Sequence, residues 1–123
     1  MIATVHTSTR AERHDLRVQI TARHCEVPED VLERTESQVQ ALTKYSPRAS
    51  AADVVYTEEK LTKTAEIIMH IHGGEPVVAQ GEGSEFRSAL DEMIERISRR
   101  LRRQRERRTD HKAPPLGKGI SEG

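Results

Sequence analysis

Phe86, Ala89, Leu90, Met93, Ile94, Ile97 and Leu101 recur at spacings of three and four residues near the end of the chain. That spacing lines one side of an α-helix. An apolar stripe of this length must lie against a broad apolar surface. The rest of the chain offers such a surface mainly as short alternating segments. In LRVQITAR (16–23), Leu16, Val18, Ile20 and Ala22 fall on one face. In TAEIIMHIH (64–72), Ala65, Ile67, Met69 and Ile71 share one face, and Glu66, Ile68, His70 and His72 the other. Period two is the pattern of a strand with one buried side.

The remaining elements follow from the same reading. Pro28 suits the first turn of a helix, where its missing N–H costs little. Val31, Thr35, Val39 and Leu42 then mark a first amphipathic helix over about 28–45, closed by Ser46-Pro47. DVVYTE (53–58) and PVVAQGEG (76–83) read as strands, the latter irregular or at an edge. Gly73-Gly74 suggests the positive-φ residues of a tight hairpin. Ser84 is a candidate N-cap for a last helix over 84–108. The expected fold is α+β, in the order β-α-β-β-β-α. It has one four-stranded, mainly antiparallel sheet with both helices packed on one face. Residues 1–15 are polar and aperiodic and read as a flexible arm. Residues 109–123, rich in Pro and Gly, read as a disordered tail or linker.

Charge is the second informative feature. Of 123 residues, 20 are Lys or Arg and 20 are Asp or Glu, so the formal net charge is zero. The average hides a separation. Residues 1–86 carry 9 basic and 14 acidic side chains, whereas 87–112 carry 10 and 5. Eight arginines fall in ERISRRLRRQRERR (95–108). Arg96, Arg100, Arg103 and Arg107 recur on one side of the helix, and Arg99, Arg102, Arg105 and Arg108 widen the band. Like charges at i+4 repel, so the array weakens the helix unless something opposes it. Arginine favours bidentate contacts to phosphate and stacking on bases. The array therefore points to nucleic acid, with a solvated helix end or an acidic protein partner as the plain alternatives. Contacts of this kind are mostly to phosphate and carry little base readout.

Other chemistries find little support. The chain has no apolar run of membrane-spanning length and no signal-peptide pattern at its start. A single cysteine, Cys25, cannot form an internal disulfide, which fits a reducing, cytoplasmic setting. His70 and His72 share a strand face and His24 adjoins Cys25, but no spacing matches a zinc signature. Cys25 beside His24 lacks the third group of a nucleophilic site. No catalytic residue, metal or cofactor is expected. Only Tyr56 is an aromatic on an expected strand, which disfavours a sheet that stacks single-stranded bases. A double-stranded-RNA module has a similar sheet with two helices. In that family the last helix begins basic, whereas here it begins SEFRSALDEMIE.

Six short patterns, in order over about 18–108, resemble the ribosome hibernation promoting factor family, also called ribosome-associated inhibitors or light-repressed proteins. They are Ile20-Thr21-Ala22-Arg23-His24, Leu42-Thr43-Lys44-Tyr45, Glu59-Lys60, His70-Ile71-His72-Gly73-Gly74, Ala79 to Gly83, and Ala89-Leu90-Asp91. The resemblance implies a non-enzymatic protein of the cytoplasm whose 16–108 segment is a ribosome-binding domain. It implies docking in the mRNA and tRNA channel of the small subunit, at the A and P sites, against rRNA and ribosomal proteins, with translation blocked. The arginine array would then face rRNA, and Arg23, Lys44, Lys60, Lys63 and Arg87 join it as candidate contacts. The family often has lysines where Gln38 and Ala41 stand, and a tyrosine where Arg87 stands. Long family members carry a second domain behind a linker that pairs two ribosomes. By that likeness this chain binds single ribosomes as a monomer, and pairing would need such a domain.

Overall fold

The computed structural model describes residues 3–9 and 16–112, with side chains described over 16–106. Among the described residues, five strands and two α-helices follow one another. They are β1 (Ala3–Thr9), β2 (Arg17–Arg23), α1 (Glu29–Ala41), β3 (Ala49–Glu59), β4 (Thr62–Ile71), β5 (Val77–Gly83) and α2 (Phe86–Lys112). The strands form one sheet in the order β1-β2-β3-β4-β5. Pairing is antiparallel except between β2 and β3, which are joined by the α1 crossover and run parallel. From Arg17 onward this is the expected β-α-β-β-β-α order.

One expectation is corrected. The segment expected as part of a flexible arm contains β1, which pairs along all of β2 from Ala3 opposite Arg23 to Thr9 opposite Arg17. ATVHTST is rich in β-branched residues, which favour strands. It lacks the clean apolar alternation that marks a buried face, so its periodicity is weak. The sheet is therefore five-stranded, and β2 is an interior strand. Residues 1–2, 10–15 and 113–123, including most of the expected tail, lie outside the described residues.

The alternation read in the sequence sets the core. Val18, Ile20, Val54, Tyr56, Ile67, Met69 and Ala79 point to one side of the sheet, where α1 and α2 cover them. The other side carries Gln19, Thr21, Asp53, Glu66, His70 and Gln80. Helix α1 starts after Pro28, whose carbonyl accepts from Val31 and Leu32. It ends in a 3-10 turn over Leu42–Lys44. Helix α2 begins at Phe86 rather than at Ser84, with Glu85 O accepting from Ala89 N.

The turns differ from expectation in one respect. The tight hairpin is β3–β4, where Glu59 pairs with Thr62 and only Lys60-Leu61 intervene. Lys60 adopts φ 58°, and Leu61 is 86% exposed at the tip. The β4–β5 connection is longer, and there only Gly73 has positive φ, at 75°.

Helix α2 lies against β5 closely enough to require glycine. A Cβ on Gly81 would stand 2.4 Å from Ala89 O and 2.5 Å from Met93 N. The helix buries Ala89, Leu90, Met93, Ile97 and Leu101 almost completely. Each large side chain contributes about 1.5–3 kcal/mol on burial. A like-charge i+4 pair costs about 0.2–0.5 kcal/mol. The apolar stripe therefore outweighs the repulsion within the arginine array.

Candidate nucleic-acid interface

The two helices run parallel across the sheet. Arg34 of α1 pairs with Asp91 of α2 at 3.5 Å. Further along both helices, the Arg102 guanidinium sits 5.5 Å from the centre of the Tyr45 ring. Arg105 Nη1 donates to Lys44 O at 3.3 Å. Both C-termini thus reach the same end of the molecule. A helix C-terminus carries a partial negative charge that favours cations, and the sequence places them there. Lys44, Arg102, Arg103 and Arg105 gather at this end, all exposed, with Arg99 and Arg100 just before them on α2. The Lys44 ammonium also lies 5.2 Å from the centre of the Tyr45 ring.

The apolar stripe ends at Leu101, which is 1% exposed, and beyond it Arg102 packs on Tyr45 and Arg105 reaches back to the end of α1. The array is held against the body at least as far as residue 105. The side chains of Arg107 and Arg108 lie outside the described residues.

The arginines have unlike surroundings. Arg96 bonds to Glu92 at 3.1 Å and to Gln80 O at 2.8 Å. Arg100 donates to Val78 O. Arg99 pairs with Glu95 at 2.9 Å. Arg103 makes no hydrogen bond or ion pair among the described residues. Together with Arg100 it lines a shallow cleft of about 410 Å³ with Pro76, Val77, Val78 and Gln104. This cleft is open and polar, so an extended anion can reach the Arg103 guanidinium, whereas Arg100 is already engaged with Val78 O.

The other candidate contacts are elsewhere. Arg23 ends β2, Lys60 sits at the β3–β4 hairpin tip, and Arg87 lies in the first turn of α2, all exposed. Lys63, opposite Gly83, is engaged with Glu58 at 3.3 Å and lies 5.4 Å from the centre of the Phe86 ring. These four occupy the end where both helices begin, beside Glu26, Glu29, Asp30 and Glu85. Along α2, positions 87 and 103 are separated by roughly 24 Å. That is several times the screening length of about 8 Å at physiological salt. The expected contacts therefore form two electrostatically separate groups.

Sequence reasoning missed one member of the first group. Arg48, exposed in the turn after α1, holds the β4–β5 connection: its carbonyl accepts from His72 N at 2.8 Å. A Cβ on Gly73 would stand 3.8 Å from its guanidinium. Arg48 is remote in sequence from the array. Only its position just beyond the end of α1 hinted at the placement.

The other chemistries weighed from the sequence meet the following surroundings. Cys25 is half-buried and its thiol donates to Tyr56 O at 3.6 Å. Burial pushes its pKa up, which opposes thiolate formation. His70 Nε2 is 3.1 Å from Asp53. Among the described residues, no three His, Cys, Asp or Glu side chains group as a metal site. No described helix is long and apolar enough to cross a membrane. Tyr56 is buried beneath α1 rather than displayed on the open face.

A family model described as Sigma 54 modulation protein / S30EA ribosomal protein matches residues 18–109. The ribosome hibernation promoting factor of Escherichia coli K12 is 28% identical over 96 residues, covering 78% of this chain and all of that protein. The ribosome hibernation promotion factor of Rhizobium meliloti 1021 is 30% identical over 97 residues, covering 78% of this chain and 51% of the relative. Two solved structures share the fold. The N-terminal domain of Protein Y from Thermus thermophilus aligns with a TM-score of 0.60 at 23% identity, covering 71% of this chain and 93% of that one. A ribosomal subunit interface protein from Coxiella burnetii aligns with a TM-score of 0.64 at 17% identity, covering 72% and 97%. The resemblance read from the six patterns thus extends across the domain, and the chain belongs to the Sigma 54 modulation protein / S30EA ribosomal protein family, that of the ribosome hibernation promoting factors.

Proposed function

We propose that this chain is a ribosome hibernation factor that binds the small ribosomal subunit in the mRNA and tRNA channel, over the A and P sites, and blocks translation without catalysing a reaction. It acts in the cytoplasm as a monomer on single ribosomes. Residues 16–108 are its ribosome-binding domain. One observation carries the reading: the parallel helices bring Lys44, Arg48, Arg99, Arg102, Arg103 and Arg105 to one end. These cations come from two helices and a turn, so they form a surface rather than a line. Such a surface suits a folded RNA, in which phosphates approach from several directions. Family membership supplies the ribosome as the source of that RNA.

A surface that occludes the channel needs no base readout. Phosphate contacts position a protein without reading sequence, and here specificity rests on shape. The four cations at the opposite end, Arg23, Lys60, Lys63 and Arg87, sit among carboxylates and add less.

The test compares two triple variants by equilibrium binding to purified small subunits over a range of salt. One replaces Lys44, Arg99 and Arg103 by Gln; the other replaces Arg23, Lys60 and Arg87 by Gln. Each phosphate that is no longer neutralised lowers the slope of log K against log salt by about 0.7–0.9. The first triple should therefore bind more weakly, with a slope flatter by about 2–3. The second should stay within a few-fold of the unmodified chain. Equal effects would mean diffuse attraction; no effect from the first triple would place the array in solvent.

A further inference from the structure

Among the described residues, strand β5 is an edge of the sheet, paired only with β4. Such an edge presents unpaired backbone groups to any other strand. Here three side chains at i, i+4 and i+8 of α2 meet them in turn. Glu82 N donates to Glu92 Oε1 at 2.8 Å. Arg96 Nη1 donates to Gln80 O at 2.8 Å. Arg100 Nη1 donates to Val78 O. Glu92 and Arg96 are themselves paired at 3.1 Å. Acceptor and donors match the strand: a carboxylate meets the N–H, and guanidiniums meet the carbonyls. The close approach at Gly81 brings the helix within reach.

We propose that Glu92, Arg96 and Arg100 form a clamp that closes the β5 edge against strand addition by a second copy of this chain and fixes α2 on the sheet, so that Arg96 and Arg100 are positioning residues while Arg99 and Arg103 face the RNA. The arginine array thereby has two functions divided by helix face. On the side that looks most regular in sequence, residues 96, 100, 103 and 107, the first two are committed to the fold. The partner excluded is another β5, because two identical edges can pair antiparallel about a twofold axis. The assignment of Arg99 and Arg103 rests on the RNA-binding reading above; the clamp itself does not.

The experiment uses the full chain and three readouts: amide exchange at Glu82, sedimentation over a range of protein concentration, and the salt dependence of binding to small subunits. The Arg96→Ala/Arg100→Ala variant keeps helix propensity, since alanine is the best helix former. It should melt several degrees lower, exchange the Glu82 amide about tenfold faster and self-associate as concentration rises, with its salt slope unchanged. Arg99→Ala/Arg103→Ala should keep the melting temperature and the monomer, and flatten the slope by about 1.4–1.8. Arg96→Lys/Arg100→Lys, which retains charge and a donor, should recover most of the monomer. Should the double alanine variant not fold, Glu92→Ala removes the acceptor of the Glu82 N–H and tests the clamp alone, and faster exchange at Glu82 with an unchanged slope is expected. A monomeric Arg96→Ala/Arg100→Ala variant with Glu82 protected as in the parent and a flattened slope overturns the proposal. If neither arginine pair changes the slope, the RNA reading fails, and exchange and sedimentation still decide the clamp.

Discussion

Tyr56 shows how one buried polar group is accommodated. Its hydroxyl lies 2.5 Å from Thr35 Oγ1, which in turn is 2.6 Å from Val31 O. Thr35 has one proton and gives it to that carbonyl, so Tyr56 is the donor in the remaining bond. An ionised Tyr56 would have no proton to give. Burial, with Asp91 adding to it, pushes the Tyr56 pKa up to about 12. The folded value lies above the unfolded value of about 10. The associated stability is therefore complete below about pH 10 and is lost as pH rises towards 12, by about 2–3 kcal/mol in all. Melting curves between pH 8 and 12 should show Tyr56→Phe losing less stability than the parent over this window, after a cost of about 1 kcal/mol at neutral pH. A second residue, Lys60, holds φ 58° at a two-residue turn. The left-handed region costs a non-glycine residue about 1–2 kcal/mol. Chemical denaturation should find Lys60→Gly more stable than the parent, with part of that gain offset by a more flexible unfolded chain. The Tyr56 partnership was not readable from sequence, because Thr35 looked only like one more position of an amphipathic stripe. Neither was the turn at Lys60, where no glycine or asparagine signals the conformation.

At the scale of elements, alternation and helical spacing were sufficient to place β2, β4, β5 and the two helices. Those segments each have one face that must be dry. Segment β1 was not legible, because pairing with β2 rather than an apolar face defines it. The length of β3 was underestimated for a similar reason: Ala49, Ser50 and Ala51 carry no strong strand signal, yet they extend it. Closeness of packing was equally hidden. The glycines of QGEG suggested an irregular or edge strand, and β5 is an edge, but nothing in the sequence showed that Gly81 marks the line along which α2 meets it. Gly81→Ala should destabilise the fold by about 1–3 kcal/mol or more, since the Cβ would meet backbone rather than a movable side chain. Urea titration measures this, and a stability equal to the parent would contradict the packing described. The arginine array illustrates the same limit. Its charge was plain in sequence, but which arginines turn to β5, Tyr45 or open solvent depends on how the helix is rotated over the sheet.

Over the whole molecule, formal neutrality conceals a dipole built from topology. Helix α1 opens on Glu29 and Asp30, α2 runs into arginines toward its end, and the parallel arrangement adds the two. One end gathers Glu26, Glu29, Asp30 and Glu85, and the other Lys44, Arg48 and the arginines of α2. A polyanion therefore meets the protein in a preferred orientation, with the acidic end turned away. If it is the monomer proposed above, with its β5 edge closed, the chain should add to ribosomes without pairing them. Gradients of ribosomes saturated with this chain should show no new paired species. In the function proposed above, the basic end occupies the mRNA and tRNA channel of the small subunit. The most direct measurement is equilibrium binding to small subunits that are either empty or preloaded with mRNA and a P-site tRNA. If the basic end fills that channel, preloading lowers the affinity at least tenfold, and excess chain in turn slows tRNA binding. Equal affinity for empty and loaded subunits would contradict it.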